Sequence, residues 1–299
     1  KKILERVDVI KGDLSEKYLG MYQGEITALC QRIGEIYHCA ADVRHYCSAE
    51  EEYIRTNVDG TSEMIELARK SGAKLYHMST CSVSGDVLKN GGVAQFTEND
   101  FDIGQVWQSN IYVKSKFLAE KAVFDAIAEG LDAKIFRLGR LVGRETDGKF
   151  QIDPESNMFY LIMKAIESVG ALPEEAANCP WDFMPIDMAA EEVILLKDAD
   201  GSVFHIMNPE PPTLGEIFTA MCDSAQILPA EEFVTLYTSK APNMLPAHAA
   251  LIRMHISDSE CEPKIKVTCS LTTQALQRAG YTRSIRSLKE TMRDFRKGE

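Results

Sequence analysis

The sequence predicts an α/β fold, in which a doubly wound parallel sheet with helices on both faces is followed by a smaller, mostly helical lobe. Short runs of β-branched and aromatic residues alternate with helical patterns at intervals of roughly 30 to 60 residues, which is typical of βαβ units. After residue 144 the alternation becomes irregular, and helical patterns dominate from residue 209 onward. We therefore expect a sheet domain over residues 1–144 and a smaller lobe over residues 145–299, with residues 183–209 returning to the sheet.

The predicted sheet strands are apolar runs bounded by turn residues or by helix starts. They cover residues 7–10, 35–41, 73–78, 133–138 and 202–207. Helical patterns run through residues 26–33, 157–169 and 185–197, and residues 171–184 are expected to be loop-rich. Two further helices have recognisable ends: a capping-box pattern at Ser48 and a stop at Gly72, then a cap at Asn110 and a stop at Gly130.

Composition narrows the class of protein. Hydrophobic residues make up 45% of the 299 positions and charged residues 26%, which is ordinary for a globular protein. No apolar run approaches the roughly 18 residues of a membrane span, and the first residues lack a signal-peptide core, so we expect a cytoplasmic protein with no membrane partner. Eight cysteines without paired spacing predict reduced thiols rather than a metal site or a disulfide scaffold. A net charge of −12 disfavours nucleic acid as a partner.

One pair of residues predicts acid–base chemistry. Tyr112 and Lys116 are four residues apart in the predicted helix that begins at Asn110, so they share one face. Because a nearby ammonium favours phenolate, we expect Lys116 to lower the pKa of Tyr112 towards neutrality. Such a tyrosine can exchange a proton with a carbonyl or alkoxide oxygen. The same spacing recurs at Tyr160 and Lys164, so only context separates the two pairs.

The predicted strand ends supply that context, because ligands of parallel sheets bind beyond the carboxyl ends of the strands. Thr80 closes the strand that precedes the Tyr112 helix, whereas no comparable hydroxyl leads into Tyr160. We therefore interpret Tyr160 and Lys164 as an ordinary helix surface, and His38, in an apolar strand, as a core histidine. The other strand ends carry Asp13, Ala40, Ala41, Gly139 and Arg140.

Several short motifs then occur in a specific order. They are residues 9–15 (VIKGDLS), 36–41 (IYHCAA), 57–61 (NVDGT), 79–83 (STCSV), 137–140 (RLGR), and Tyr112 with Lys116 and Glu120. In this arrangement the chain resembles an extended short-chain dehydrogenase/reductase, and more narrowly the terminal thioester reductase domain of non-ribosomal peptide synthetases and carboxylic acid reductases. The resemblance covers residues 7–196. It implies a Rossmann-like sheet and NADPH-dependent release of a carrier-bound acyl or peptidyl thioester as an aldehyde, with further reduction to an alcohol left open.

The resemblance also implies roles for individual residues. Thr80 would bind the substrate carbonyl oxygen, Tyr112 would donate a proton to it, and Lys116 would bind the nicotinamide ribose. Asn57 would brace the neighbouring strand. The cofactor positions implied in this way are Asp13, Leu14, Ala40, Ala41, Lys116, Gly139 and Arg140.

The implied partner is an acyl or peptidyl carrier protein with a phosphopantetheine-linked thioester. Because carrier proteins are commonly acidic, a basic group near the C-terminus is our hypothesis for its docking face. The group consists of Arg278, Arg283, Arg286, Lys289, Arg293, Arg296 and Lys297.

One part of the family pattern is not in this sequence. The family begins with a strand, a glycine-rich turn and a helix whose N-terminus binds the pyrophosphate, and no such run precedes Val7. The resemblance therefore implies that residues 1–144 are a cofactor-binding domain whose N-terminal βαβ unit is missing and that residues 145–299 are a substrate-binding lobe. NADPH is implied by the resemblance alone. Two alternatives stay open: a sugar-nucleotide epimerase or other ketone-acting extended reductase with the same three catalytic residues, and a catalytically inactive fragment.

Overall fold

The computed structural model describes residues 4–43, 49–107, 110–253, 256, 264–283 and 287–297. The chain forms two compact units. The first comprises Lys1–Val83 and Trp107–Phe136, and the second comprises Ser84–Val106 and Arg137–Glu299.

Helices and strands alternate along the described chain, which confirms the predicted α/β class. The helices are α1 (Gln23–Cys30), α2 (Glu50–Tyr53), α3 (Gly60–Ser71), α4 (Ile111–Ala128), α5 (Met158–Val169), α6 (Glu174–Ala177), α7 (Ile186–Leu196), α8 (Leu214–Met221), α9 (Ala230–Lys240), α10 (Pro246–Ile252), α11 (Ser270–Arg278) and α12 (Leu288–Lys297). The strands are β1 (Glu35–His38), β2 (Lys74–Thr80), β3 (Val87–Leu88), β4 (Ala94–Phe96), β5 (Gln105–Val106), β6 (Ala133–Leu138), β7 (Leu141–Val142), β8 (Ala171–Pro173), β9 (Met184–Pro185), β10 (Val203–Ile206), β11 (Gln226–Leu228) and β12 (Ile265–Val267).

The first unit contains the parallel sheet strands β1 and β2 and most of β6, adjacent in that order. β1 and β2 run parallel, with Glu35 opposite Lys74 and His38 opposite His77. The central residues of β2 are buried on both faces, as expected for a parallel strand between helices. This arrangement directs the carboxyl ends of β1 and β2 to the same edge of the sheet.

Helices α2 and α3 form one continuous helix through a π-helical segment, Ile54–Asp59. Its end at Gly72 is confirmed, because Gly72 adopts the left-handed conformation and its N–H donates to the carbonyl of Ala68. Its predicted cap, Ser48, lies outside the described residues. π-Helical segments within α-helices are rare and recur at functional sites, so the residues of this segment are candidates for a functional role.

The predicted strand at residues 7–10 is wrong. These residues form an irregular segment, and Val9 is 92% exposed, with Val7 and Ile10 about half exposed. A β-branched run becomes a strand only when a neighbouring strand accepts its backbone hydrogen bonds. In the described sheet β1 has β2 as its neighbour, and no strand pairs with residues 7–10.

The second unit contains the last two residues of β6 and the strand β10, which follows β6 in the sheet order. Its core is built around α5, whose apolar face packs with residues of α8, α9 and α10. The helices predicted at 157–169 and 185–197 and the strand at 202–207 are confirmed as α5, α7 and β10. The region predicted to be loop-rich, 171–184, carries the short elements β8, α6 and the start of β9.

The cysteines depart from the prediction at one position. Cys30, Cys39, Cys81, Cys222 and Cys269 are free thiols, whereas Cys179 is disulfide-bonded. Cys47 and Cys261 lie outside the described residues. Sequence spacing reveals only pairs that are close along the chain, so it could not show a disulfide with a distant partner. Within the described part of the chain, no helix has the length and apolarity needed to cross a membrane.

Candidate active site

Helix α4 carries the predicted acid–base pair, and Lys116 of that pair contacts strand β2. The side chain of Asn110 caps the helix by accepting a hydrogen bond of 3.1 Å from the N–H of Val113. Lys116, one turn beyond Tyr112, is only 4% exposed and donates from Nζ to the carbonyl of Met78 at 2.6 Å. Met78 lies two residues before Thr80. The lysine therefore connects the tyrosine helix to the strand that carries the threonine.

Burial dominates the electrostatics of Lys116. It lowers the pKa of the ammonium to about 8, although Glu120 and Cys39 act in the opposite direction. The low-dielectric surroundings disfavour the charged ammonium. Its hydrogen bond to the carbonyl of Met78 offsets part of that cost. Lys116 is thus a buried cation that releases its proton much more readily than a surface lysine.

The prediction that Lys116 lowers the pKa of Tyr112 is wrong. Burial raises the pKa of Tyr112 to about 12, and the neighbouring Tyr53 adds to the increase. The sequence places the two side chains on one helix face, but the ammonium of Lys116 is directed to the carbonyl of Met78. Tyr112 is therefore a neutral phenol at physiological pH, which is the form that donates a proton rather than accepts one.

The π-helical segment contributes Asn57, which is 2% exposed and joins two elements. Its Oδ1 accepts from the N–H of Asp42 at 2.7 Å, and its Nδ2 donates to the carbonyl of Asp42 at 3.0 Å. The same Nδ2 donates to Oγ of Ser115 at 2.8 Å, and Ser115 donates to the carbonyl of Tyr112. Asn57 therefore connects the loop after β1 with the first turn of α4.

His38 extends this network and remains neutral. The hydroxyl of Thr61 donates to the carbonyl of Asn57, so its oxygen accepts from Nε2 of His38 at 3.0 Å. Burial, with the nearby charge of Lys116, lowers the pKa of His38 to about 4. The interpretation of His38 as a core histidine is confirmed. Its ring lies 5.3 Å from that of His77, whose pKa burial also lowers.

Thr80 is the last residue of β2 and is partly buried. Its Oγ1 accepts a hydrogen bond of 3.2 Å from the N–H of Ser82 in the turn that follows. That contact uses the hydroxyl oxygen as an acceptor, so the hydroxyl hydrogen can be donated to another group. Thr80, Tyr112 and Lys116 all belong to the first unit.

The predicted cofactor positions are distributed over both units. Asp13 is exposed, and the pKa of its carboxyl is lowered by hydrogen bonds from the hydroxyl and N–H of Ser15. Leu14 packs directly on Gly60, where a β-carbon would lie 2.4 Å from Cγ of Leu14. Ala40 is exposed and Ala41 partly buried, directly before the Asp42 that Asn57 holds.

Gly139 and Arg140 belong to the second unit. The N–H of Arg140 donates to Oδ2 of Asp182 at 2.6 Å, and its guanidinium lies 4.1 Å from the centre of the Trp181 ring. A β-carbon on Gly139 would lie 1.8 Å from the same oxygen of Asp182, so glycine is required there. Oδ1 of Asp182 accepts from the N–H of Asn208 at 3.1 Å. Asp182 therefore fixes the end of β6, a role that sequence reasoning missed.

The second tyrosine–lysine pair has a different environment. Lys164 forms an ion pair of 3.3 Å with Glu167, and its Nζ lies 5.7 Å from the centre of the Tyr160 ring. Both residues lie on α5 in the second unit. This contact is a common surface arrangement of a helix and differs from the buried strand-end contact of Lys116.

These features define an α/β protein in which one helix carries a partly buried tyrosine and a buried lysine, and the lysine is hydrogen-bonded to a parallel strand. The chain belongs to the family NAD_binding_4, described as male sterility protein, whose model matches residues 1–193. This family membership and the relatives below confirm the resemblance to reductase domains of non-ribosomal peptide synthetases.

Among curated relatives, the chain is 29% identical over 220 residues to a component of the linear gramicidin synthase of Brevibacillus parabrevis, covering 72% of this chain and 4% of that protein. It is 27% identical to the glycine betaine reductase ATRR of Emericella nidulans, covering 80% of this chain and 19% of that protein. The chain thus spans only a small part of these relatives.

Solved structures show the same fold. A thiolation-reductase di-domain from an archaeal non-ribosomal peptide synthetase superimposes with a TM-score of 0.81 at 26% identity, covering 96% of this chain and 60% of that one. The terminal R domain from the myxalamid PKS-NRPS biosynthetic pathway also gives a TM-score of 0.81, at 24% identity, covering 99% of this chain and 75% of that one.

The chemistry of the residues present suits part of a nicotinamide dinucleotide. Ala40 and Ala41, directly after β1, have small side chains, and Lys116 is a buried cation hydrogen-bonded to β2. Exposed Asp13 remains accessible after the loop at residues 7–12. Within the described residues, no glycine-rich turn between a strand and a helix is available for the pyrophosphate.

Proposed function

We propose that this chain carries out NADPH-dependent reductive release of an acyl or peptidyl thioester from a carrier protein, with an aldehyde as product. The observation that supports it best is the 2.6 Å contact between Nζ of Lys116 and the carbonyl of Met78. This contact holds the buried cation and the Tyr112 helix at the end of the strand that carries Thr80. Family membership and the reductase domains among the relatives support the reaction class.

When bound, NADPH supplies the hydride that reduces the thioester carbonyl. We propose that Lys116 binds the nicotinamide ribose hydroxyls and that Asp13 and Leu14 flank the adenine. Ala40 and Ala41 would line the channel between these ends. By the same resemblance, Gly139 and Arg140 are proposed as further cofactor-binding residues.

The chain's own residues handle the proton. Thr80 donates a hydrogen bond to the carbonyl oxygen, where negative charge develops as the carbonyl carbon is reduced. Tyr112, whose pKa is about 12, is protonated at physiological pH and transfers its proton to that oxygen. The resulting thiohemiacetal loses its carrier-bound thiol by cleavage of the carbon–sulfur bond, which leaves an aldehyde. The cysteines need not act as nucleophiles in this scheme.

The proposed partner is a carrier protein that presents the thioester on its phosphopantetheine arm, and the proposed location is the cytoplasm. The basic docking face requires revision. Arg283 has a side chain only 12% exposed and forms a two-pronged hydrogen bond with the buried Glu192. Arg283 therefore belongs to an ion pair within the protein and is not part of a docking surface. Arg278 and Lys289 are exposed, and the remaining basic side chains lie outside the described ones.

Replacing Tyr112 by Phe tests the proposal. The change removes one hydroxyl, and we expect aldehyde formation from an acyl-pantetheine thioester to fall by about 100-fold or more. Tyr160→Phe is the matched control, because Tyr160 is the tyrosine of the second Tyr-x-x-x-Lys pair. We expect the turnover of this variant to stay within about two-fold of wild type. Equal turnover of wild type and Tyr112→Phe would refute the catalytic role. Titration with NADPH separates loss of catalysis from loss of cofactor binding.

A further inference from the structure

Trp107 joins two segments of the first unit that the proposed mechanism uses separately. The chain leaves this unit after Val83 and returns to it at Trp107. Nε1 of Trp107 donates a hydrogen bond of 3.2 Å to the carbonyl of Val83. The point of departure and the point of return are therefore joined by this side-chain hydrogen bond.

On one side of the bond, the connection to Thr80 is short. Thr80 ends β2, and a 3₁₀ turn, Cys81–Ser84, follows it directly. Oγ1 of Thr80 accepts from the N–H of Ser82 within this turn, and Val83 is buried. The carbonyl that Trp107 binds is thus part of a compact turn, three residues beyond Thr80.

On the other side, Trp107 contacts the helix that carries Tyr112. Its carbonyl accepts a hydrogen bond of 2.6 Å from the N–H of Asn110, the residue that caps α4. Its ring lies 4.7 Å from the ring of Phe117, measured between centroids, on the same helix. Tyr112 lies between Asn110 and Phe117 in the sequence. Trp107 therefore contacts α4 on both sides of Tyr112 along the chain.

The segment between the two joined points, residues 84–106, belongs to the second unit. A connecting segment of this length does not by itself hold its two ends together, because closing it costs conformational entropy. The indole hydrogen bond supplies a direct connection within the first unit. A single neutral hydrogen bond contributes little net stability, so its loss should loosen the turn after Thr80 without unfolding the unit.

We propose that Trp107 is a positioning residue, which fixes Thr80 relative to Tyr112 so that both hydroxyls act on one carbonyl oxygen. This role rests on the proposed thioester reduction. Trp107 transfers no proton itself, because its indole N–H is bound to Val83. Donors to a developing oxyanion must lie about 3 Å from it, and small displacements greatly reduce the rate. Loosening the turn should therefore slow the chemical step rather than weaken substrate binding.

Trp107→Phe tests this role, because it removes the indole N–H but retains an aromatic ring beside Phe117. We expect kcat for aldehyde formation from an acyl-pantetheine thioester to fall about ten-fold, with KM within about two-fold of wild type. Unchanged kcat would overturn the proposal. Ser71→Ala is the matched control, because partly buried Ser71 also donates to a carbonyl of the first unit, that of Leu67, at 2.7 Å. Its kcat and KM should stay within about two-fold of wild type.

A double-mutant cycle separates positioning through Thr80 from a general loss of stability. Thr80→Ala removes the hydroxyl whose position is in question. In that background we expect Trp107→Phe to lower kcat by less than a further two-fold or so, because no threonine hydroxyl is left to displace. A further ten-fold decrease would overturn the proposal.

Amide hydrogen exchange tests the contact itself and requires no turnover. We expect the amides of residues 81–83 to exchange at least about ten-fold faster in Trp107→Phe and at the wild-type rate in Ser71→Ala. Unchanged exchange in Trp107→Phe would overturn the proposal. Faster exchange combined with no aldehyde from the wild type would instead refute the proposed reaction, and the catalytic role of Trp107 with it, while the contact with Val83 would stand.

Discussion

The buried charge of Lys116 makes folding stability depend on pH in a specific direction. Burial lowers the pKa of this lysine from 10.5 to about 8 in the folded chain. Below the folded pKa the ammonium is present in both folded and unfolded states, and its burial opposes folding. As pH rises through the interval between the two values, the unfolded chain holds more protons than the folded chain, so folding stability increases.

The size of the effect follows from the shift. One pKa unit corresponds to about 1.4 kcal/mol, and most of the shift takes effect between about pH 7 and about pH 10. The wild-type folded state should therefore gain roughly 2 to 3 kcal/mol of stability over this interval. Lys116→Met keeps a long apolar side chain but removes the charge. We therefore expect the stability of the variant, relative to wild type, to fall by that amount over this pH interval.

Urea unfolding at about pH 7 and at about pH 10 measures the difference, because groups that do not interact with Lys116 titrate alike in wild type and variant. Lys121→Met is the matched control on the same helix, since Lys121 is 55% exposed and forms a surface ion pair of 2.7 Å with Asp125. We expect it to differ from wild type by less than about 1 kcal/mol at either pH. A stability difference for Lys116→Met that does not change with pH would refute the assignment of Lys116 as a buried cation.

Two further substitutions test the residues that position the site. Asn57→Ala removes two hydrogen bonds between its side chain and the backbone of Asp42, so we expect urea unfolding to show a loss of roughly 1 to 3 kcal/mol. The exposed Asn99→Ala should have little effect. Gly139→Ala forces a β-carbon against the fixed carboxylate of Asp182 and should destabilise by roughly 1 to 3 kcal/mol. Its control is Gly24→Ala, where no atom beyond the neighbouring residues and the backbone of its own helix lies within 4 Å of the added carbon. A loss in each control equal to that of its partner would contradict these assignments.

The elements that could be predicted from sequence are those determined by short stretches of chain. The cap at Asn110 and the stop at Gly72 are confirmed, because caps depend on groups within one helical turn. Strand β6 was predicted with the bounds it has in the structure, since its apolar run is bounded by polar residues and glycine. The segment at residues 7–10 has an equally good local pattern but is not a strand. Strand formation also requires a partner strand, which is contributed by residues far away in the sequence.

The electrostatics of the candidate site could not be predicted from the sequence. Helical spacing placed Tyr112 and Lys116 on one face, yet the direction of the ammonium depends on the carbonyl of Met78 in another element. The pKa of Tyr112 rises because of burial, which sequence spacing does not reveal. The same holds for Asp182, whose contacts with Arg140 and Asn208 join segments far apart in the chain.

Hydride transfer to a thioester tests the central claim most directly. The full chain is incubated with an acyl-pantetheine thioester and NADPH deuterated at the reactive carbon, and the products are analysed by mass spectrometry and thiol titration. We predict an aldehyde with deuterium at its carbonyl carbon and an equivalent amount of free thiol, both suppressed in Tyr112→Phe. An intact thioester in the presence of bound NADPH, or transfer of deuterium to a ketone instead, would contradict the account.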